Sequence, residues 1–488
     1  MMKRFLTKLL KNKVFLYMIS RYATYALQFI TTLMIAVKLG PTDFGIWSFV
    51  LLVVGFFNII DFGIANSINV ILVHDKENEE LCAKHVKSVI IINSVISLIV
   101  LLLFIAVSFI DVPLLEKYHA DLYYIYILLI VVFFYFNKSF ASIYRVKNRL
   151  LEVALYQSTA PVLLFLSVIL ISGPALINYL VGSYVVGYFI VLLIFILGEP
   201  VVVHGRLSIA DIRYVSGKGF WLFMYNSAFY LILYLTSVFV SAYYTVDEFG
   251  KFNFSVTLSN AIVLLIDAFG FIIFPKMIDR FSGKDFPEVQ RVIDSVRLNY
   301  TTLVCLLIYI ALPFFYIFPL VINKYEDTGL SLCFAALSLM PYTAAFGINT
   351  FLIAQNQEKK LSVVSTICLL FSICSSLIFV KVFYTAYSLA FISILFSYAL
   401  YTTLCSFCQF KYMGKKMSVL DHVLYVFPIR QLVPFVLAVV AVYFSFTLKK
   451  PVFLFIPLFL FIFMNYSQLK EVGRSIKSVV YHPNIVDL

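Results

Sequence analysis

Charged residues are scarce in this chain: only 13% of its 488 residues are Asp, Glu, Lys or Arg, whereas 62% are hydrophobic and 18% aromatic. Soluble domains typically carry about 25% charged residues. The segments between the apolar runs are too short to fold as independent soluble domains. The chain also lacks a GxxxxGK[ST] loop, which excludes a self-contained ATP-driven pump.

Long loops outside the membrane are missing as well. Polytopic glycosyltransferases and polysaccharide polymerases tend to need such loops for catalysis at the membrane surface, so a transporter fits better. The seven cysteines are scattered. Cys405 and Cys408 have CxxC spacing but no second pair and no histidine partner, so we expect no metal site, disulfide or redox cofactor.

About 14 apolar runs are each long enough to cross a bilayer as a helix. They cover residues 14–37, 45–73, 88–110, 122–143, 154–172, 175–197, 218–243, 249–275, 298–321, 329–353, 361–381, 384–410, 428–447 and 451–466. The first run follows basic residues, as in a signal peptide, but it is too long and has no cleavage site. The sequence therefore predicts an all-α polytopic membrane protein.

Most of the 37 Lys and Arg residues fall in segments that lie inside if the N-terminus is cytoplasmic. The positive-inside rule then predicts that both termini are cytoplasmic. The net charge of +12 follows from this bias and from contact with anionic lipid. No nucleic-acid partner is needed to account for it.

Ionisable residues inside apolar runs are expensive and therefore candidates for function. Arg21, Asp61 and Asp267 lie within such runs, and Lys138 lies nearer a boundary, where it can also snorkel to the surface. Amides share the faces of the two acids: Asn58, Asn66 and Asn69 accompany Asp61, and Asn253 and Asn260 precede Asp267 at spacings of seven. Such stripes either line a watery cavity or join helices by hydrogen bonds.

Two short stretches repeat each other. Thr42-Asp43-Phe44-Gly45 opens the run that contains Asp61, and Asp247-Glu248-Phe249-Gly250 opens the run that contains Asp267. An internal repeat of this kind is typical of transporter folds built from two similar halves.

Leu39-Gly40-Pro41-Thr42-Asp43-Phe44-Gly45 and Asp61-Phe62-Gly63-Ile64-Ala65-Asn66 resemble the polysaccharide flippases of the MOP superfamily, most of all the Wzx-type O-antigen or repeat-unit translocases. Phe62 stands where the family usually has an aliphatic residue. The resemblance implies two pseudo-symmetric six-helix bundles, residues 1–200 and 201–410, which open alternately to each side. Residues 411–488 would add two helices and a cytoplasmic tail.

The resemblance also implies the cargo. Such proteins move undecaprenyl-diphosphate-linked oligosaccharides to the periplasmic leaflet of the bacterial inner membrane for O-antigen, lipopolysaccharide or capsule assembly. They act without a cofactor or catalysis of their own, and a polymerase and a chain-length regulator are the expected partners.

Each candidate residue receives a role in that task. Arg21 would bind the diphosphate, and Asn66, Asn69, Lys138 and Asn260 would contact the substrate. Asp61 or Asp267 would release Arg21 in another state of the transport cycle, or carry a coupling H+ or Na+. Structural pairing of Arg21 with Asp61 is the alternative. Rival functions are a lipid II flippase, a multidrug or cation extruder of the same superfamily and, from another class, a polysaccharide polymerase.

Overall fold

The structure is a computed structural model that describes residues 13–74, 78–173, 175–198, 208–218, 220–281, 283, 285–382 and 386–481. All regular secondary structure in these ranges is helical, so the all-α prediction is confirmed. The chain divides into two compact units, Met1–Ser227 and Ala228–Leu488. A separate segment from residue 411 onward stays a prediction.

The first unit contains eight α-helices within the described residues, and a ninth crosses its boundary. They are Lys13–Ile59 (α1), Ile64–His74 (α2), Glu79–Val107 (α3), Pro113–Lys117 (α4), Tyr124–Val146 (α5), Leu150–Leu170 (α6), Leu176–Leu197 (α7), Ile209–Lys218 (α8) and the boundary helix Phe220–Tyr243 (α9). The second unit continues with Val246–Phe281 (α10), Phe286–Val321 (α11), Gly329–Ala344 (α12), Phe346–Ala354 (α13), Glu358–Leu377 (α14), Ala390–Tyr412 (α15), Val419–Val426 (α16), Ile429–Leu448 (α17), Phe455–Met464 (α18) and Tyr466–Tyr481 (α19).

Eleven helical segments of the described residues are long and apolar enough to span a membrane, or 12 if the pair around Asn465, bent by 74°, forms one span. The sequence predicted about 14. One part of the difference is that α1 carries the first predicted span and the first half of the second, joined at Gly40. Another is that α10, a predicted span, is not among the 11. The number 14 stays a prediction.

Gly40 turns the chain between the first two predicted spans. Its φ of 78° and ψ of 173° belong to a region that is open almost only to glycine. Pro41 follows at the start of the next helical stretch, where its missing N–H leaves no helix bond unmade. Phe44 is buried just beyond this turn, and its counterpart in the repeat, Phe249, is buried in the second unit. Each repeat motif thus places its phenylalanine in the core of its own unit.

Replacing Gly40 by alanine should lower the free energy of unfolding by about 1–3 kcal/mol, because a Cβ is strained at this φ and ψ. Gly182→Ala is the matched control, since a Cβ there meets no atom within 4 Å in a helix interior. Thermal melting of the purified proteins in detergent compares the two. Equal melting temperatures for both variants would contradict the prediction.

Helices of the first unit pack closely and are joined by buried amides. A Cβ at Gly187 of α7 would lie 3.0 Å from the Cα of Ala160 on α6, so the two backbones approach directly. Asn137 Nδ2 of α5 donates to the carbonyl of Tyr188 on α7 at 2.8 Å. Asn93 Nδ2 of α3 donates to the carbonyl of Tyr135 on α5 at 3.2 Å. Helix α5 is therefore held from both sides.

Most of the segment between the predicted spans 249–275 and 298–321 is helical. Helix α10 runs to Phe281 and α11 begins at Phe286, with the Asp285 side chain accepting from the Glu288 N–H as its cap. Both helices continue beyond their apolar runs, because charged residues do not end a helix that has packed neighbours and a cap. Arg297 is consequently a helix residue and only 3% exposed.

Candidate substrate and coupling site

The helical path of the second predicted span is broken at Asp61. Helix α1 ends at Ile59 and α2 begins at Ile64. Between them Phe62 has a φ of 49° and Gly63 a φ of 70°. A non-glycine residue at positive φ is uncommon and points to a local constraint. The backbone N–H of Gly63 donates to Asp61 Oδ1 at 3.0 Å, so the carboxylate itself shapes the turn.

Helix α5 supplies the partners of this break. The hydroxyl of Tyr135 donates to the carbonyl of Phe57 at 2.8 Å, which satisfies an acceptor at the end of α1. One turn further along α5, Lys138 Nζ lies 2.6 Å from Asp61 Oδ2. Oδ2 accepts no hydrogen bond of normal geometry within the described residues, so this contact is an ion pair rather than an aligned hydrogen bond. Lys138 thus balances the charge of Asp61 at the break between α1 and α2.

The two members of the pair differ in exposure. The side chain of Asp61 is 9% exposed, whereas that of Lys138 is 33% exposed. The ammonium also lies 5.5 Å from the centre of the Phe134 ring. Its neighbour Asn137 is fully buried and fixes the backbone of α5 at this level. The arrangement presents a partly accessible cation whose counter-ion is buried behind it.

Arg21 lies on the first half of α1 and is half-buried. Its Nε donates to the hydroxyl of Tyr25 one turn along, at 2.7 Å, and its guanidinium lies 5.4 Å from the centre of the same ring. The structure pairs Asp61 with Lys138 rather than with Arg21. The role of Arg21 at a diphosphate stays a prediction.

The remaining predicted residues are distributed over both units. Asn69 on α2 is half-buried in the first unit, and Asn260 on α10 is half-buried in the second. The side chains of Asn66 and Asp267 lie outside the described part of the structure. The predicted roles of these four residues stay predictions.

Sequence reasoning missed two groups of residues. One group is Tyr135, which contacts the break, and Asn137, which joins α5 to α7. The only sequence feature that indicated this group was the polar pair Asn137-Lys138 in an apolar run. The other lies in the second unit, where the Arg297 guanidinium lies 4.1 Å from the centre of the Tyr425 ring. Arg297 Nη1 donates to the carbonyl of Val426 at 3.2 Å, and the Tyr425 hydroxyl donates to Asp294 Oδ1 at 2.7 Å. Asp294 and Arg297 lie one turn apart on α11, but spacing along the sequence does not show that Tyr425 and Val426 pack against them.

The family profile described as "Polysaccharide biosynthesis protein" matches residues 10–281, which is more than half of the chain. The chain belongs to the polysaccharide biosynthesis protein family. In this family member the matched region includes Arg21, the break at Asp61 and Lys138. A search of curated proteins finds no match.

Solved structures with the same fold are membrane transporters. The lipid II flippase MurJ in an inward closed conformation aligns with a TM-score of 0.66 and 14% identity, over 94% of this chain and 99% of that one. A mutant of the Vibrio cholerae MATE transporter VcmN aligns with a TM-score of 0.58 and 14% identity, over 84% and 97%. A multidrug resistance MATE transporter of the MOP superfamily, inward-facing, aligns with a TM-score of 0.58 and 13% identity, over 81% and 98%.

These findings confirm the resemblance to the MOP superfamily flippases. The chain is a multi-pass membrane protein with the fold of a membrane transporter.

Proposed function

We propose that this protein flips undecaprenyl-diphosphate-linked oligosaccharide repeat units from the cytoplasmic to the periplasmic leaflet of a bacterial inner membrane, by alternating access, for O-antigen, capsule or related polysaccharide assembly. The observation that carries the proposal is the partly exposed side chain of Lys138, whose ammonium pairs with Asp61 at a broken membrane span in a member of the polysaccharide biosynthesis family. Both termini are proposed to be cytoplasmic.

The chemistry of this cargo explains why cations and amides are kept inside apolar runs. A sugar diphosphate that crosses hydrocarbon without partners loses its hydrogen bonds to water at a high cost in free energy. Side chains inside the protein replace those bonds, while the polyprenyl tail remains in lipid. Arg21 suits the diphosphate because its planar guanidinium stays charged and donates paired hydrogen bonds. Lys138 supplies a second cation in the same unit.

A lipid II flippase is the second candidate function. The observation that favours it is the structural similarity to MurJ, which covers 94% of this chain. Both candidate functions move a lipid-linked substrate, and the two substrates differ in their headgroup.

Deletion of the gene in its host, followed by analysis of lipid-linked saccharides and surface glycan, separates the candidates. Loss of surface polysaccharide with single repeat units held on the cytoplasmic face is the expected result. Accumulation of lipid II would favour the second candidate. Periplasmic single units without polymer would indicate a polymerase. An unchanged glycan profile with altered drug sensitivity would overturn the proposal in favour of an extruder.

Arg21→Ala is expected to reduce flipping about tenfold to a hundredfold, since hydrogen bonds to a charged group contribute roughly 1.5–3 kcal/mol. Arg21→Lys should retain part of the activity, because the charge remains while the paired geometry is lost. Arg213→Ala is the control, because Arg213 is an exposed arginine of the same unit. Transport in proteoliposomes at equal protein level is the measurement. Full activity in both Arg21 variants would remove Arg21 from the site.

A further inference from the structure

We infer that Asp61 is an internal substitute for a phosphate of the cargo: it holds Lys138 in the empty protein and is displaced from it when a diphosphate binds. This inference rests on the proposed function, because it assumes an anionic lipid-linked cargo. It goes beyond that function by assigning the ion pair as the element through which headgroup binding acts on the broken span.

The two carboxylate oxygens of Asp61 have separate tasks. Oδ1 accepts from the Gly63 N–H at 3.0 Å, which ties the carboxylate to its own backbone turn. Oδ2 faces Lys138 Nζ at 2.6 Å. Because Oδ1 is anchored, the carboxylate cannot follow the ammonium if Lys138 moves away. Separation of the pair therefore depends on Lys138, whose long stem is flexible.

The surroundings of Lys138 allow its ammonium to leave Asp61 and bind another anion. An ammonium group has three N–H donors, and within the described residues its contacts are one carboxylate oxygen and the face of the Phe134 ring. A third of the side chain is exposed, so an anion can approach the ammonium from the open side. A diphosphate offers several charged oxygens to the donors that Asp61 does not use, and charge-assisted hydrogen bonds of this kind are strong.

Displacement has a consequence for the backbone. Asp61 is 6% exposed as a residue, and an ionised carboxylate that loses its partner at such burial is strongly destabilised. The destabilised group lies inside a turn with two successive positive φ angles, at Phe62 and Gly63. Binding of the diphosphate thus weakens the conformation that holds the two halves of the span in their present relation. Since coupling is reciprocal, the intact ion pair must in turn weaken diphosphate binding.

Asp61→Asn tests the exchange directly. The asparagine carbonyl can still accept from the Gly63 N–H, so the turn is retained, while its amide repels the ammonium and frees Lys138. The double variant Asp61→Asn/Lys138→Met removes the cation without leaving an unpaired buried acid. Asp247→Asn is the control, because Asp247 forms an ion pair with Lys251 at 2.8 Å in the second unit. Binding of farnesyl diphosphate, farnesol and inorganic pyrophosphate is measured in nanodiscs, with monodispersity as the test of folding.

Asp61→Asn is expected to bind farnesyl diphosphate about tenfold more tightly than the wild type, within the usual range of coupling between sites. The double variant should lose this gain and bind more weakly than the wild type, and Asp247→Asn should match the wild type. If Asp61→Asn also binds pyrophosphate more tightly, by the same factor as farnesyl diphosphate, the gain comes from the diphosphate group alone. Farnesol binding should be the same in Asp61→Asn and in the wild type. If the wild type binds farnesyl diphosphate and a folded Asp61→Asn binds it no more tightly, the inference is overturned. If the wild type fails to bind any diphosphate, the proposed function fails with it.

Discussion

Lys138→Met is expected to destabilise the first unit by about 3–5 kcal/mol, the range seen when one partner of a buried ion pair is removed. The reason is the position of Asp61, which is buried in the core behind Lys138 and fixed by Gly63. Without the ammonium, the carboxylate is left buried and unpaired. Unfolding in mixed detergent micelles provides the measurement.

Adding Asp61→Asn to Lys138→Met should restore most of the lost stability, since no buried charge then remains unpaired. Lys84→Met is the matched control: the side chain of Lys84 is 30% exposed, close to that of Lys138, but its partner Glu80 is 74% exposed. Removal of such a surface pair changes stability little. Equal losses for Lys84→Met and Lys138→Met would show that the burial of Asp61 does not matter.

Arg297→Met should destabilise the second unit by roughly 3 kcal/mol, because it removes a charged hydrogen bond and a buried cation–π contact. The carbonyl of Val426 would lose its 3.2 Å donor, and the Tyr425 ring would lose the guanidinium 4.1 Å from its centre. Burial raises the pKa of Tyr425 to about 12, so its hydroxyl remains a donor to Asp294 at neutral pH. The loss should therefore loosen α16 first.

Arg291→Met is the control for Arg297, since Arg291 lies on the same helix and is exposed. A surface substitution of this kind usually changes stability by about 0.5 kcal/mol or less. Hydrogen exchange of the amides in α16 measures the local effect, and unfolding in mixed micelles measures the global one. Unchanged exchange in α16 of the Arg297 variant would contradict the assigned contacts.

The helical fold was predictable because each apolar run must form its backbone hydrogen bonds internally when it lies in lipid. Every predicted run is mostly helical in the described residues, although the run 45–73 is interrupted at Asp61. The ends were less predictable: the predicted spans 249–275 and 298–321 stop well short of each other, whereas a cap and packing extend α10 and α11 into the segment between them. Hydropathy reports the lipid boundary and not the point at which a helix ends.

The sequence predicted which ionisable residues belong to the candidate site, but it did not predict that Asp61 pairs with Lys138. Asp61 and Lys138 stand out as ionisable residues in apolar runs, but the spacing of residues does not reveal which cation meets which acid. The partnership depends on α5 packing beside the break, a tertiary contact. The break itself leaves little trace in the sequence, because Phe62 adopts a positive φ that its type disfavours.

Tyr135 and Lys138 lie one turn apart on α5 and contact the broken span at two points. Tyr135 donates to the Phe57 carbonyl before the break, and Lys138 pairs with the Asp61 carboxylate within it. Helix α5 therefore bridges the break in this span. The spacing of its two contact residues has to match the spacing of the two groups that they contact. An insertion of one residue between Phe57 and Asp61, or between Tyr135 and Lys138, would rotate one contact by about 100° and leave the other in place. These two short segments should accordingly tolerate substitution more readily than any change in length, and should be exchangeable between homologous proteins only as a pair.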